Sequence, residues 1–148
     1  MRSAQPPPSI LISPTFSFAV RVYYEDTDAA GVVYYANYLR FCERARTEWL
    51  RSMGYDQRAL LEETGIAFVV RSVQADYKVS ARLDDALEVI SAIARLGHAS
   101  LVFAQKIIRG QELVLNSTVS IACVDTRKQR PCAIPPDLRT RFLACIPK

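Results

Sequence analysis

A single histidine, His98, and four scattered cysteines are all that this chain offers to a soft metal. Cys42, Cys123, Cys132 and Cys145 form no CxxC pair, and none lies beside His98, which argues against a zinc site. No apolar run reaches the ~20 residues that a membrane-spanning helix needs. There is no secretory signal pattern either. Residues 1–15 hold Pro6-Pro7-Pro8 and a short Ile10-Leu11-Ile12 patch cut by Ser13-Pro14, and are expected to be a loose leader before one cytoplasmic domain at 16–148. Without an export signal, the thiols are expected to be reduced and buried. A basic block or stripe is also lacking. The net charge of +4 is spread along the chain, which suits an anionic small molecule such as a phosphorylated cofactor better than nucleic acid. No internal repeat or second domain is visible in the 148 residues, which are enough for a sizeable core.

What is present begins with alternation. Phe16, Phe18, Val20, Val22 and Tyr24 interleave with Ser17, Ala19, Arg21 and Tyr23, which predicts a strand with Tyr24 on its inward face. The polar connector Glu25-Asp26-Thr27-Asp28 ends it. From about Tyr34 to Met53 the period changes: Tyr34, Tyr38, Phe41, Ala45, Trp49 and Met53 recur every three or four residues, predicting a long helix stopped by Gly54. On this reading Glu43, Arg44, Arg46 and Glu48 form a solvated helix face. Strand-like runs follow at 66–79, 86–96, 100–108 and 113–124, joined by short glycine-containing turns, and Pro135-Pro136-Asp137 opens a short helix over 138–145. Strand, long helix and four tightly connected strands make an antiparallel α+β fold. One helix cannot cover so much apolar sheet, so a partner subunit is expected to complete the cover.

The segment from Tyr23 to Tyr38 is the most informative. It sets Asp28, the small residues Ala29 and Ala30, and Gly31 between a strand and a helix start. Aspartate before a helix also serves as an N-cap, so Asp28 alone leaves two readings open. Asp26 reads as a turn carboxylate. The spacing Asp26-x-Asp28-x-x-Gly31 imitates the start of a calcium loop, but Ala30 stands where an oxygen ligand is needed and Asn37 where glutamate should be. No metal is expected.

These residues also carry a resemblance. Arg21-Val22-Tyr23-Tyr24-Glu25-Asp26-Thr27-Asp28, Gly31-Val32-Val33-Tyr34 and Glu43-Arg44-Ala45-Arg46-Thr47-Glu48 resemble the hotdog-fold acyl-CoA thioesterases of the 4-hydroxybenzoyl-CoA thioesterase superfamily, and within it the Tol-Pal-associated (YbgC-like) branch. Phe68-Val69-Val70-Arg71, Ala81-Arg82-Leu83-Asp84-Asp85 and Ser100-Leu101-Val102-Phe103 support the same branch. The resemblance implies a hotdog fold, a long helix wrapped by a five- or six-stranded antiparallel sheet, in dimers and often tetramers with sites at the subunit interface. It implies acyl-CoA hydrolysis with coenzyme A as part of the substrate and no further cofactor. It places the catalytic carboxylate at Asp28 and a supporting role at Tyr24. That branch usually has histidine after Val-Val-Tyr, where this chain has Tyr35. There the 4-hydroxybenzoyl branch is more similar, with an aromatic residue whose backbone N–H meets the thioester oxygen.

The chemistry agrees. A thiolate leaves readily, its thiol having a pKa near ~8.5, so hydrolysis needs a base or nucleophile and a holder for the oxyanion. Asp28 can activate water or attack directly. The helix start near Val33 to Tyr35 can offer unpaired amides, and Gly31 keeps the approach to the backbone clear. Arg127, Lys128 and Arg130 could neutralise the phosphates of coenzyme A or form a basic surface loop. Catalytic candidates are therefore Asp28, Tyr24 and Tyr35; substrate-binding candidates are Gly31, Val33, Lys128 and Arg130. Two other readings stand: hydrolysis of acyl-carrier-protein thioesters, and a non-catalytic acyl-CoA-binding module of the cell-envelope Tol-Pal machinery, peripheral to the inner membrane. A dehydratase is disfavoured because His98 falls in a predicted turn.

Overall fold

The computed structural model describes residues 14–146, so the expected leader falls largely outside the described residues. Strand β1 (Thr15–Arg21) leads through a 3-10 turn (Tyr24–Asp26) to helix α1 (Tyr35–Ser52) and then helix α2 (Gln57–Thr64). Strands β2 (Ile66–Tyr77), β3 (Ala86–Leu96), β4 (Ser100–Arg109) and β5 (Glu112–Asp125) follow, then a two-residue β6 (Arg130–Pro131) and helix α3 (Pro136–Cys145). All pairings are antiparallel, in the order β1-β3-β4-β5-β2, with β6 on the end of β5. This is the α+β hotdog arrangement, with α1 as the central helix.

Local chemistry accounts for most of these limits. Gly54, at φ +86°, ends α1 where a side chain would be strained. Helix α2 is an element the hydrophobic period did not announce, since it is short and buries no residue fully. Its ends were nonetheless written locally: Asp56 caps it by accepting from the Arg58 and Ala59 N–H groups, and Gly65 closes it at φ +75°. Pro136 occupies the first turn of α3, where its missing N–H costs nothing.

Helix α1 lies across two apolar clusters. Tyr38, Phe41, Cys42 and Ala45 pack with Val20, Val22, Val89, Ile107 and Leu115. Trp49, Leu50 and Met53 pack with Ile93, Phe103, Val119, Ile121 and, from α3, Leu138 and Phe142. Between the clusters runs a buried polar row. Ser91 on β3 is paired with Gln105 on β4, and Gln105 with Ser117 on β5. Arg46 bonds to this row and is only 9% exposed, so the expectation that it belongs to a solvated helix face is incorrect. Burying the long side chain lets its stem cover apolar surface while one nitrogen reaches Gln105.

Among the described residues, strand β2 is a sheet edge with only β5 beside it. Val70, Val73 and Tyr77 stand opposite the buried Ile121, Val119 and Leu115 and so face the α1 side, yet all three are exposed. A free edge with apolar side chains is a surface that soluble proteins normally cover. The cysteines are free; Cys42, Cys123 and Cys145 are buried and Cys132 is half-buried. Among the described residues no helix is long and apolar enough to cross a membrane.

Candidate active site

The connector between β1 and α1 folds back on itself as a small hairpin. The Tyr34 N–H donates to the Asp26 carbonyl (2.9 Å), Thr27 and Val33 form an antiparallel bridge, and the Asp28 N–H donates to the Val32 carbonyl (2.9 Å). Gly31 turns it at φ +79°, with nothing within 4 Å of where a Cβ would stand. The hairpin sets Asp28 two residues, or about 7 Å of extended chain, beyond the rung that begins α1.

The two aspartates part company here. Asp26 is buried, and its Oδ2 accepts the Tyr23 N–H (2.8 Å) while its carbonyl also accepts from Asn37 Nδ2 (3.0 Å). It holds the turn. Asp28 is exposed, and its Oδ1 accepts the Ala30 N–H (2.8 Å). It does not cap α1, because the cap position belongs to Tyr34, whose side chain makes no capping bond. The N-cap reading of Asp28 is thus removed.

Helix α1 consequently starts with open donors. The Val33 N–H is committed to the Ala81 carbonyl (2.8 Å) and the Tyr34 N–H to Asp26, while the Asn37 N–H turns back to the Tyr34 carbonyl (2.8 Å). The Tyr35 and Ala36 N–H groups, ahead of any intrahelical acceptor, make no bond within the described chain. Val33 is itself buried, so neither its amide nor its side chain is available to a ligand. Its expected binding role is corrected to a structural one, and the open donors, those of Tyr35 and Ala36, lie two and three residues further on.

A shallow depression beside Asp28 is lined by Tyr24, Thr27, Ala29, Gly31 and Leu83. Tyr24 is 83% exposed and lies in the 3-10 turn, so the expectation that it continues the inward face of β1 is wrong: the strand ends at Arg21 and the backbone turns before Tyr24. That turn is what brings its ring to the rim beside Asp28. Tyr35 is exposed within an aromatic group. Its ring lies 4.8 Å from that of Tyr34 and 6.2 Å from that of Tyr77, and the Tyr77 hydroxyl donates to the Tyr35 carbonyl (3.3 Å). Hydrogen bonding to Tyr35 pushes the Tyr34 phenol above its usual range.

Lys128 and Arg130 are elsewhere. Their loop begins where Asp125 pairs with Ile66, while Tyr77, at the far end of β2, touches α1. Roughly 35 Å of strand separates these ends. Within one chain the structure brings Tyr24, Asp28 and Gly31 together and leaves Lys128 and Arg130 at the opposite edge. The sequence reading also missed Leu83, which the positive-φ turn at Asp84 (φ 69°) helps present beside the site.

Fold and site together define a hotdog thioester hydrolase. Residues 22–142 match the thioesterase-like superfamily, and the chain belongs to it. The acyl-CoA thioesterase YbgC of Haemophilus influenzae is 49% identical over 127 residues, covering 86% of this chain and 93% of the relative. The Helicobacter pylori acyl-CoA thioesterase YbgC is 40% identical over 124 residues, covering 78% of this chain and 90% of its own length. Among solved structures, a probable thioesterase from Bartonella henselae superposes with a TM-score of 0.78 at 34% identity, covering 82% of this chain and 99% of the other. A Synechocystis 1,4-dihydroxy-2-naphthoyl-CoA thioesterase shares the fold, with a TM-score of 0.82 at 23% identity and coverages of 87% and 96%.

Proposed function

We propose that this chain hydrolyses acyl-CoA thioesters to a free acid and coenzyme A, with Asp28 as base or nucleophile. The observation that carries this reading is the hairpin that seats an exposed carboxylate beside an uncapped helix start. The Tyr35 and Ala36 amides supply oxyanion donors at the positive end of α1. One such donor is typically worth about 3 kcal/mol of barrier. Because the donor is backbone, tyrosine at position 35 serves where the related branch carries histidine. Tyr24 borders the acyl carbonyl and Gly31 leaves room for the approach of the thioester. Coenzyme A enters as substrate, and no other cofactor is required.

The unit proposed to act is a homo-oligomer, a dimer or a pair of dimers. The exposed Val70, Val73 and Tyr77 along the free β2 edge support it, since a second copy would bury them next to α1. Lys128 and Arg130 can meet the phosphates of coenzyme A only if they come from a neighbouring subunit. The same exposed cations equally suit an acidic acyl carrier protein, which makes carrier-bound thioesters the second substrate to try.

Thiol release from a panel of acyl-CoAs, and from an acylated carrier protein, tests the reading directly. Turnover that survives Asp28→Asn unchanged removes the assigned role. Acyl-CoA binding without turnover, together with a stable envelope-protein partner in a pull-down, favours the Tol-Pal module instead.

A further inference from the structure

Of the four free thiols, two meet. Cys123 lies on β5, and Cys132 directly follows the two-residue β6. The register that sets Val124 opposite Pro131 and Asp125 opposite Arg130 runs on to set Cys123 opposite Cys132. The Cys132 N–H donates to the Cys123 carbonyl (2.9 Å), and the two Sγ atoms are 3.7 Å apart. Among the described residues Cys42 and Cys145 make no such contact. Residues directly opposite on antiparallel strands have Cα atoms about 4.5–5.5 Å apart, within the range that a disulfide spans. The sulfurs must close by about 2 Å to bond, a shift that rotation about the two Cα–Cβ bonds can share.

The two thiols differ in access. Cys123 is fully buried in the cluster shared by α1, α3 and the sheet. Burial, and then its bond with Cys132, pushes its thiol up to about 12. Cys132 is half-buried, between the exposed Pro131 and Ala133. An accessible thiol beside a sheltered second one is the arrangement in which an oxidised cysteine is resolved as a disulfide before it is oxidised further. Packing alone asks for neither feature, since a thiol that fills a core is inert and needs no second sulfur.

We infer that Cys123 and Cys132 form a redox-modification site, which closes to a reversible disulfide with hydrogen peroxide as the oxidant. The Cys132 sulfur gives up its proton and attacks one peroxide oxygen; the O–O bond breaks, leaving a sulfenic acid and a water. The Cys123 sulfur then attacks Cys132. An S–S bond forms, the S–O bond breaks, and the departing hydroxide takes the Cys123 proton as a second water. Two thiols lose two electrons and one peroxide gains them. A dithiol returns the electrons by exchange and is itself left as a disulfide. The bond closes a loop over 124–131 that carries Arg127, Lys128 and Arg130, and that Thr126 Oγ1 anchors to the Gly65 carbonyl (2.6 Å). In the reduced protein the hydrogen bonds of β6 and Cys132 tie the returning chain to β5; the disulfide makes that tie covalent. This chemistry is independent of the reaction proposed at Asp28.

Treating the native assembly with hydrogen peroxide, alkylating the remaining thiols after unfolding and mapping the peptides by mass spectrometry tests it. A Cys123–Cys132 cross-link that disappears with dithiothreitol is expected, with Cys42 and Cys145 still alkylated. Trypsin should cut the oxidised loop after Arg127, Lys128 and Arg130 at least ~3-fold more slowly than the reduced one. Cys132→Ser should abolish the link. In Cys123→Ser, Cys132 should stop at sulfenic acid and be trapped by dimedone. Should that buried variant misfold, dimedone added to the parent chain during oxidation must capture Cys132 and lower the yield of the cross-link. Four outcomes each overturn the proposal: Cys132 passing to sulfinic acid while Cys123 stays reduced, a link to another cysteine or between subunits, all four thiols surviving a peroxide dose that oxidises free glutathione, or unchanged tryptic cleavage.

Discussion

The two ends of helix α1 are built on opposite principles. At its start the Tyr35 and Ala36 amides are open, the neighbouring Tyr34 and Tyr35 side chains are exposed, and the Asp28 carboxylate stands exposed on the preceding turn. Past its middle, the same helix is clamped by α3 and the sheet, with Trp49, Leu50 and Met53 buried among Phe103, Leu138 and Phe142. Polar groups at the first end are left unpaired and accessible, while those at the second are paired across three strands through Gln105. Unpaired donors are tolerable only where water or a ligand can reach them, and chemistry on a carbonyl needs them free. The stable half therefore holds rigid what the open half exposes.

The sharpest way to break this comparison is at the paired aspartates. Asp28→Asn should lower turnover by about 10²- to 10⁴-fold without moving the melting curve, since among the described residues its side chain holds only the Ala30 amide. Asp26→Ala should do the converse first, costing about 1–3 kcal/mol of stability by orphaning the Tyr23 N–H, as read by denaturant unfolding. An Asp28 variant that unfolds while keeping activity per folded molecule would collapse the distinction.

At the clamped half, Gln105→Leu removes the one side-chain bond that Arg46 makes among the described residues and the partner of Ser91, and should cost about 3 kcal/mol in urea unfolding. A neutral result would mean that the polar row is not what ties α1 to the sheet. A smaller effect is expected of Tyr35→His, which keeps the backbone donor. Turnover should stay within about 10-fold of the parent, well short of the loss of one oxyanion donor, and a collapse with the fold intact would show that the phenol itself works.

The smallest effect concerns Asp85, at the turn that presents Leu83. Its carboxyl is held below the usual range, first by the Arg82 N–H and then by Arg109 (2.6 Å). Its contribution is complete above the unfolded value of about 3.9 and is lost as pH falls through the lower folded value. In Asp85→Asn the stability gap to the parent should be under about 1 kcal/mol at neutral pH and vanish in acid. A gap that widens on acidification contradicts the sign.

Strands 86–96 and 100–109, the long helix and the tight turns were legible because period and turn residues are local properties. Helix α2 was overlooked, although Asp56 and Gly65 marked both ends. Tyr24 was placed wrongly because alternation does not reveal where a strand stops. The role of Arg46 was invisible for a different reason: a charged residue beside other charged residues reads as surface, and only the row of Ser91, Gln105 and Ser117, assembled from three strands, makes burial tolerable. Val33 failed by two residues, since the Ala81 carbonyl that occupies its amide comes from nearly fifty residues away.

By itself the chain settled what short-range forces decide: the central helix, its glycine stop, the strand segments joined by tight turns and the connector that carries Asp28. Tertiary packing decided which amides stay open, which carboxylate faces outward, that Lys128 and Arg130 lie at the far edge, and that a cation sits inside. Such outcomes depend on which groups distant segments bring into bonding distance, and no local pattern encodes a partner remote in sequence.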